Sequence, residues 1–304
     1  MHMKKILFSL LLISSIMKIQ AQTETALYPD AIPNSKPAEN IEKHSTEPGI
    51  LIISDISIPT YTVFQPKVQN DKKSAVIIFP GGGYFITASG HEGSDIAKSF
   101  NEVGITAILI KYRIPSDRTM PNREIGPLQD AQQAMLITRE NAEKWNIDPN
   151  KIGIIGFSAG GHLASTLGTH YTDALIANPK NTSLRPDFMI LGYPVISFQD
   201  GLTHMGSRDN LLGKNPSKEK KDFYSNELQI TKNTAPSFLF HASDDDAVNV
   251  LNSVLFYESL IAHKVKAELH IYQNGGHGFG LINKTTKDLW MESCRNWMRH
   301  NGWL

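Results

Sequence analysis

Six short apolar runs punctuate the chain: SAVIIFP, ITAILIKY, KIGIIGF, DFMILGYPV, SFLFHA and AELHIYQ. They are runs of the kind that fill a sheet covered on both faces. Between them lie stretches with helical spacing, at 91–103, 127–146, 159–169, 248–263 and 285–300. Pro127 stands where a first-turn proline belongs, and Gly104 follows the first stretch where a helix-terminating glycine belongs. Strands alternating with helices predict βαβ units, so the fold class is α/β with a mostly parallel central sheet and helices on both faces. Upstream, ILIISDISIPTYTVFQPK alternates, predicting an antiparallel strand pair interrupted at Pro59. Residues 22–50 read as a lead that contains Pro and Asn, and residues 51–304 as one domain. The connection at 197–235 is long for a compact domain, and such connections tend to be functional. It leaves the carboxyl end of its strand, where parallel sheets bind ligands. Its content, GKNPSKEKKD among it, is too polar for the apolar lid of a lipase.

Composition narrows the partners. Of 304 residues, 40% are hydrophobic, enough for a sizeable core, and 30 basic residues balance 30 acidic ones. That balance argues against nucleic acid or an anionic membrane as partner. At the start, Lys4 and Lys5 precede an apolar run from Ile6 to Ile16, followed by polar residues and Ala21. The run is shorter than the ~20 residues a membrane span needs and reads as an export signal over residues 1–21. The expectation is an exported protein, periplasmic or secreted, with no integral membrane segment in the mature chain. Cys294 is the single cysteine, which excludes an intramolecular disulfide and a Cys-based zinc site and argues against a lipid anchor at the cleavage point.

The candidate chemistry sits in IIGFSAGGH, residues 154–162. Gly156-Phe157-Ser158-Ala159-Gly160 fits G-x-S-x-G, a pattern that residue frequencies alone would produce in about one such chain in ten. Context adds weight, because an apolar strand precedes the serine and a helix follows it. A strand-to-helix turn this tight strains the serine backbone, which small neighbours permit, and aims the hydroxyl out of the sheet. A nucleophilic serine also needs an acid and a histidine, later in the chain and in that order. After SFLFHA comes SDDDAVN, and after AELHIYQ comes NGGHGFG, so both partners lie at strand carboxyl ends. Upstream, FPGGGYF matches the HGGG-type loop with Pro80 in place of the histidine. The N–H groups of Gly82, Gly83 and Ala159 are the candidate oxyanion donors.

From about Leu51 onward the chain resembles the α/β-hydrolase esterases, and among them the exported bacterial carbohydrate acetyl esterases related to acetylxylan and feruloyl esterases. The residues that carry this are PGGGY, IKYRIP, GFSAGGHLAS, THMGSRDNLLG, HASDDDAVNVLNS and GGHGFG. The resemblance places the nucleophile on Ser158 and the histidine on His277. In such enzymes the acid stands four residues after the histidine closing the preceding strand, here His241, which selects Asp245 over Asp244 and Asp246. Ala242 and Asn249 depart from the commoner glycine and proline. The implied activity is a serine carboxylesterase that removes acetyl groups from a plant polysaccharide such as xylan, without metal or cofactor. An exopeptidase of the same fold and a silent carbohydrate-binding protein on this scaffold are the alternatives.

Other residues have bland readings beside sharp ones. His162, four residues past Ser158, suits packing beneath the turn better than catalysis. Tyr84 either borders an acyl pocket, as a substrate contact, or fills core. Glu92 suits the start of a helix, and Asp246 suits a helix N-cap. His204 and Ser207 lie in the long connection, and the resemblance puts that connection near the site.

Overall fold

The computed structural model describes residues 23–46 and 50–304; the export signal expected over residues 1–21 lies outside them. The chain begins with β1 (Glu24–Ala26), β2 (Lys43–Thr46), β3 (Leu51–Ser54) and β4 (Thr60–Phe64). It continues through β5 (Ala75–Phe79), β6 (Ile86–Thr87), α1 (Asp95–Glu102), β7 (Thr106–Lys111), α2 (Gly126–Glu140), β8 (Ile152–Phe157) and α3 (Ser158–His170). After β9 (Met189–Gly192), the long connection carries α4 (Met205–Leu212) and α5 (Lys218–Phe223). The rest is β10 (Ser237–Ala242), α6 (Leu251–Ala262), β11 (Ala267–Tyr272) and α7 (Trp290–Asn301).

The six apolar runs are six strands of one eight-stranded sheet, in the order β1-β4-β7-β5-β8-β9-β10-β11. Every pairing from β7 to β11 is parallel, and β4 and β1 add antiparallel strands at one edge. Alternate side chains of each strand enter different cores, as pleating requires. Ile77, Phe79 and Ile154 pack with Leu128, Leu163 and Phe256 of α2, α3 and α6. Val76, Ile78 and Ile155 pack on the other face with Phe100 of α1 and Trp290 and Trp297 of α7. β5, β8, β9 and β10 are buried at every residue and have no polar side to show, whereas the edge strand β11 is only partly buried and interleaves Glu268 and His270 with apolar residues. Cys294 is buried in α7, and burial pushes its thiol well above the ordinary range.

Several expected elements differ. The strands on either side of Pro59 do not pair with each other: β4 joins β7, whereas β3 pairs with β2 and β6 in a separate three-stranded sheet. Alternation reports a half-buried strand but not its neighbour. The 22–50 lead enters both sheets, through β1 and β2. Helix α2 ends at Glu140 rather than near 146, and α7 begins at Trp290 rather than near 285. Helix α6 begins at Leu251 with Val250 as its cap. Asp246 is therefore no N-cap; the intervening residues follow the acid loop described below.

One buried ion pair ties lead, sheet and helix together. Arg113 and Asp130 are both fully buried, with Arg113 Nη2 donating to Asp130 Oδ1 at 2.8 Å. Asp130 also accepts from the Arg113 backbone N–H at 2.8 Å and from the Tyr28 hydroxyl at 2.9 Å. Arg113 Nη1 reaches the Pro33 carbonyl at 2.8 Å. Removing one partner strands a charge in low dielectric, which costs about 3–5 kcal/mol in such pairs. Asp130→Ala is expected to lower the unfolding free energy by that amount in urea titration, with the spectroscopic signature of the folded state retained.

Candidate active site

Ser158 sits where β8 turns into α3, with φ at +50°. A non-glycine residue there carries strain of order 1–3 kcal/mol, held by its surroundings. Two glycines make the turn possible by close approach. A Cβ on Gly156 would lie 2.1 Å from the Gly160 carbonyl oxygen, and one on Gly160 would lie 2.1 Å from that of Phe79. The serine is 6% exposed, and its Oγ lies 2.9 Å from His277 Nε2.

His277 Nδ1 lies 2.7 Å from Asp245 Oδ2. A carboxylate only accepts, so Nδ1 carries the hydrogen and Nε2 offers its lone pair to the serine hydroxyl. Asp245 is held from three further directions. Its Oδ1 accepts from the backbone N–H groups of Val248 at 2.8 Å and Ala247 at 3.0 Å. Its Oδ2 lies 3.1 Å from His241 Nε2, which also faces the Val248 carbonyl at 3.0 Å. Both neighbours of that nitrogen accept, so His241 donates from Nε2 while its Nδ1 accepts from the Ser253 hydroxyl at 2.8 Å. Burial opposes ionisation of Asp245, but the hydrogen bonds from His241, His277 and Val248 outweigh it and hold the carboxyl well below the usual carboxylate range. The structure thus brings Asp245 to His277, and neither Asp244 nor Asp246. Asp244 accepts from the Gly276 N–H at 2.8 Å and so fastens the loop that carries the histidine. Asp246 is exposed.

The glycine loop is clamped at each residue that could misplace it. The Pro80 carbonyl accepts from the buried Tyr112 hydroxyl at 2.7 Å. The Gly81 N–H donates to Glu92 Oε2 at 2.7 Å, and the Gly83 carbonyl accepts from Asn210 Nδ2 of α4 at 2.8 Å. Gly82 and Gly83 lie at φ +132° and +64°, and their N–H groups have no protein acceptor among the described residues. Ala159 lies in the first turn of α3, where N–H groups lack an intrahelical acceptor.

Glu92 does more than suit a helix start. It is 3% exposed, and its Oε1 accepts from the Tyr193 hydroxyl at 2.7 Å. That hydroxyl in turn accepts from the Gly280 N–H at 2.9 Å, and the Tyr193 ring meets His277 edge-on at 5.1 Å. One carboxylate therefore links the glycine loop to the histidine loop. Sequence pattern does not disclose this pair because the partners are 101 positions apart.

Tyr84 takes the core reading. It is 1% exposed, and its hydroxyl meets His162 Nδ1 at 2.9 Å beneath the elbow. His162 Nε2 faces the Tyr224 carbonyl at 2.8 Å, and Phe198 stacks on the ring at 4.1 Å. His204 caps α4 through its Nδ1, which receives the Ser207 N–H at 3.3 Å, and its ring lies 3.9 Å from the position of a Cβ on Gly83. The long connection thus packs on the glycine loop. Burial lowers the His162 pKa to about 4. Between the ordinary histidine value and that figure, only the unfolded chain binds the proton, so stability falls as pH drops from about 6.5 towards 4. Urea titrations at pH 7 and pH 4.5 are expected to differ by roughly 2–3 kcal/mol from this residue alone, and His162→Gln to reduce that difference.

Known proteins are similar to this chain. An acetylxylan esterase of Xylanibacter ruminicola is 33% identical over 268 residues, covering 86% of this chain and 52% of that protein. An endo-1,4-beta-xylanase B of Butyrivibrio fibrisolvens is 36% identical over 220 residues, 71% of this chain and 34% of that protein. The chain thus spans about half or less of the length of these two relatives. The crystal structure of an acetyl ester-xyloside bifunctional hydrolase from Caldicellulosiruptor lactoaceticus superposes with a TM-score of 0.78 at 35% identity, covering 93% of this chain and 97% of that one. The BD-FAE family model matches residues 62–260, which include the elbow serine and the acid loop. With the mostly parallel sheet and the elbow at its centre, that match makes this chain a member of the BD-FAE family of α/β hydrolases.

Proposed function

We propose that the protein is an exported serine carboxylesterase that removes acetyl groups from xylan or its fragments by way of an acyl-enzyme. The observation that carries the reading is the relay from Ser158 Oγ to His277 Nε2 at 2.9 Å and from His277 Nδ1 to Asp245 at 2.7 Å, beside unpaired N–H groups of the glycine loop.

Ser158 Oγ attacks the ester carbonyl carbon while its proton passes to His277 Nε2. The carbonyl oxygen becomes an oxyanion facing the N–H groups of Gly82, Gly83 and Ala159. Asp245 fixes the imidazole tautomer and stabilises the imidazolium without taking its proton. As the intermediate collapses, His277 returns the proton to the departing sugar oxygen, leaving acetyl on Ser158. Water then attacks the acyl carbon, gives its proton to His277, and the serine leaves protonated as acetate departs. Every step uses groups of this chain and water, so the chemistry calls for no metal or cofactor.

The sugar ester is supported by relatives named for xylan and its acetyl esters, and by a polar connection whose α5 has no buried residue. Export is supported by the lysines and apolar run before Ala21. Among the described residues no helix is long and apolar enough to cross a membrane.

Ser158→Ala is expected to reduce kcat on 4-nitrophenyl acetate by about 10⁶-fold while preserving the melting temperature; undiminished turnover removes the assignment. Asp245→Asn presents an amide N–H to His277 Nδ1, which forces the proton to Nε2 and blocks acceptance from Ser158. Its kcat is expected to fall by about 10⁴-fold at neutral pH, measured by initial rates. Acid release from acetylated xylan, compared with feruloylated, long-chain ester and peptide substrates, tests the substrate class.

A further inference from the structure

A cavity of about 430 Å³ opens beside the glycine loop, among the three-stranded sheet, the 114–119 segment and α4. That volume lies within the range of roughly 300–1,000 Å³ typical of small-molecule sites. Its walls include Lys43, Ser45, Ser54, Asp55, Phe85 and Asn210. None of these takes part in the acyl-transfer relay, and the three-stranded sheet has no place in the parallel core.

The glycine loop connects this space to Ser158. The N–H groups of Phe85 and Ile86 both reach the Gly82 carbonyl at 3.0 Å, and Gly82, Gly83 and Tyr84 all have positive φ. This knot turns Tyr84 into the core and leaves Phe85 68% exposed at the cavity wall. Helix α4 runs along the same loop: His204 at its cap lies beside Gly83, and Asn210 near its end holds the Gly83 carbonyl while lining the cavity. A candidate oxyanion donor and the cavity wall are therefore one residue apart.

The wall, which also includes Arg118 with its guanidinium donating to the Glu39 carbonyl at 3.0 Å, mixes an aromatic ring, hydroxyls and side-chain donors and acceptors, as a carbohydrate requires. A sugar ring presents an apolar C–H face, whose partial positive charge suits the negative face of an exposed aromatic ring, and a rim of hydroxyls that donate and accept. Lys43 and Asp55 stand 3.7 Å apart, with side chains 74% and 41% exposed. A pair that open contributes little to stability, and it offers a donor and an acceptor side by side to sugar hydroxyls. Ser45 and Ser54 on paired strands add hydroxyls, and Asn210 Oδ1 has no acceptor duty among the described residues.

We propose that this cavity is a glycan subsite, which holds a sugar unit next to the acetylated one while the acetyl group lies at Ser158. It rests on the carbohydrate esterase reading above and adds the residues that select an oligosaccharide over a simple acetate. On this assignment the three-stranded sheet forms the outer wall of the substrate groove.

The experiment compares kcat/KM on acetylated xylotriose with that on 4-nitrophenyl acetate, in wild type, Phe85→Ala and Asp55→Asn, with melting temperatures as control. Asparagine tolerates the positive φ of 55° at position 55. The expected result is that each variant lowers the ratio of the two constants by about tenfold, a change of about 1.4 kcal/mol in discrimination. Calorimetry of acetylated xylotriose on Ser158→Ala is expected to show binding that Phe85→Ala on the same background weakens by a similar factor. A ratio unchanged in both variants, or parallel loss on both substrates, overturns the subsite. So does a wild type that prefers acetylated xylotriose no more than singly acetylated xylose. Turnover of 4-nitrophenyl acetate that persists in Ser158→Ala is a separate outcome and overturns the catalytic reading instead.

Discussion

The structure depends on one backbone constraint: Ser158 must hold a positive φ at the end of a central strand. Nothing local to a serine favours that conformation, so its neighbours have to over-determine it. Gly156 and Gly160 let strand, helix and the preceding loop close to van der Waals contact. Beneath the turn, Tyr84, His162 and the Tyr224 carbonyl form a chain in which each polar atom has its partner. An unpaired group there would cost about as much as the strain it accompanies, so the hydroxyl reaches His277 from a backbone with little freedom to relax.

Buried carboxylates fasten the parts that come from distant positions. Asp130 gathers the lead, the end of β7 and α2 around Arg113. Glu92 joins the Gly81 amide to Tyr193 and, through its hydroxyl, to Gly280. Asp245 gathers two histidines and two backbone amides. In each case the charge sits in low dielectric and is stabilised by several donors at once, which gives direction as well as energy. The glycine loop and the histidine loop are thus tied to each other through Glu92, and the acid loop is tied to the histidine through Asp245, all at the carboxyl ends of the central strands.

The parallel sheet is legible in the sequence because strands covered on both faces leave continuous apolar runs, and the order of serine, acid and histidine follows from where those runs end. The register within Asp244, Asp245 and Asp246 is not legible from residue pattern alone: three adjacent acids carry the same signal, and only the spacing from His241 in related enzymes separates them. The three-stranded sheet escapes sequence reading because alternation in 50–67 says that strands exist but not that they join different sheets. The roles of Glu92, Tyr193 and Tyr112 leave no trace in the sequence pattern, since each acts on a backbone amide, hydroxyl or carbonyl far away in the chain. Tyr84 admits two readings because a residue after a glycine loop can turn either way, and the knot at Gly82 decides which.

The lone cysteine has a wider consequence. Cys294 is sealed within α7, its thiol disfavoured from ionising, and it has no second cysteine in the chain to meet. A molecule working outside the reducing interior, as proposed here, would thus carry no covalent staple and offer no reactive thiol. Thiol–disulfide exchange therefore has nothing to act on, whereas acidification charges His162 and discharges Asp245. The acidity of the surroundings, rather than their thiol–disulfide balance, would set the limits within which this fold persists.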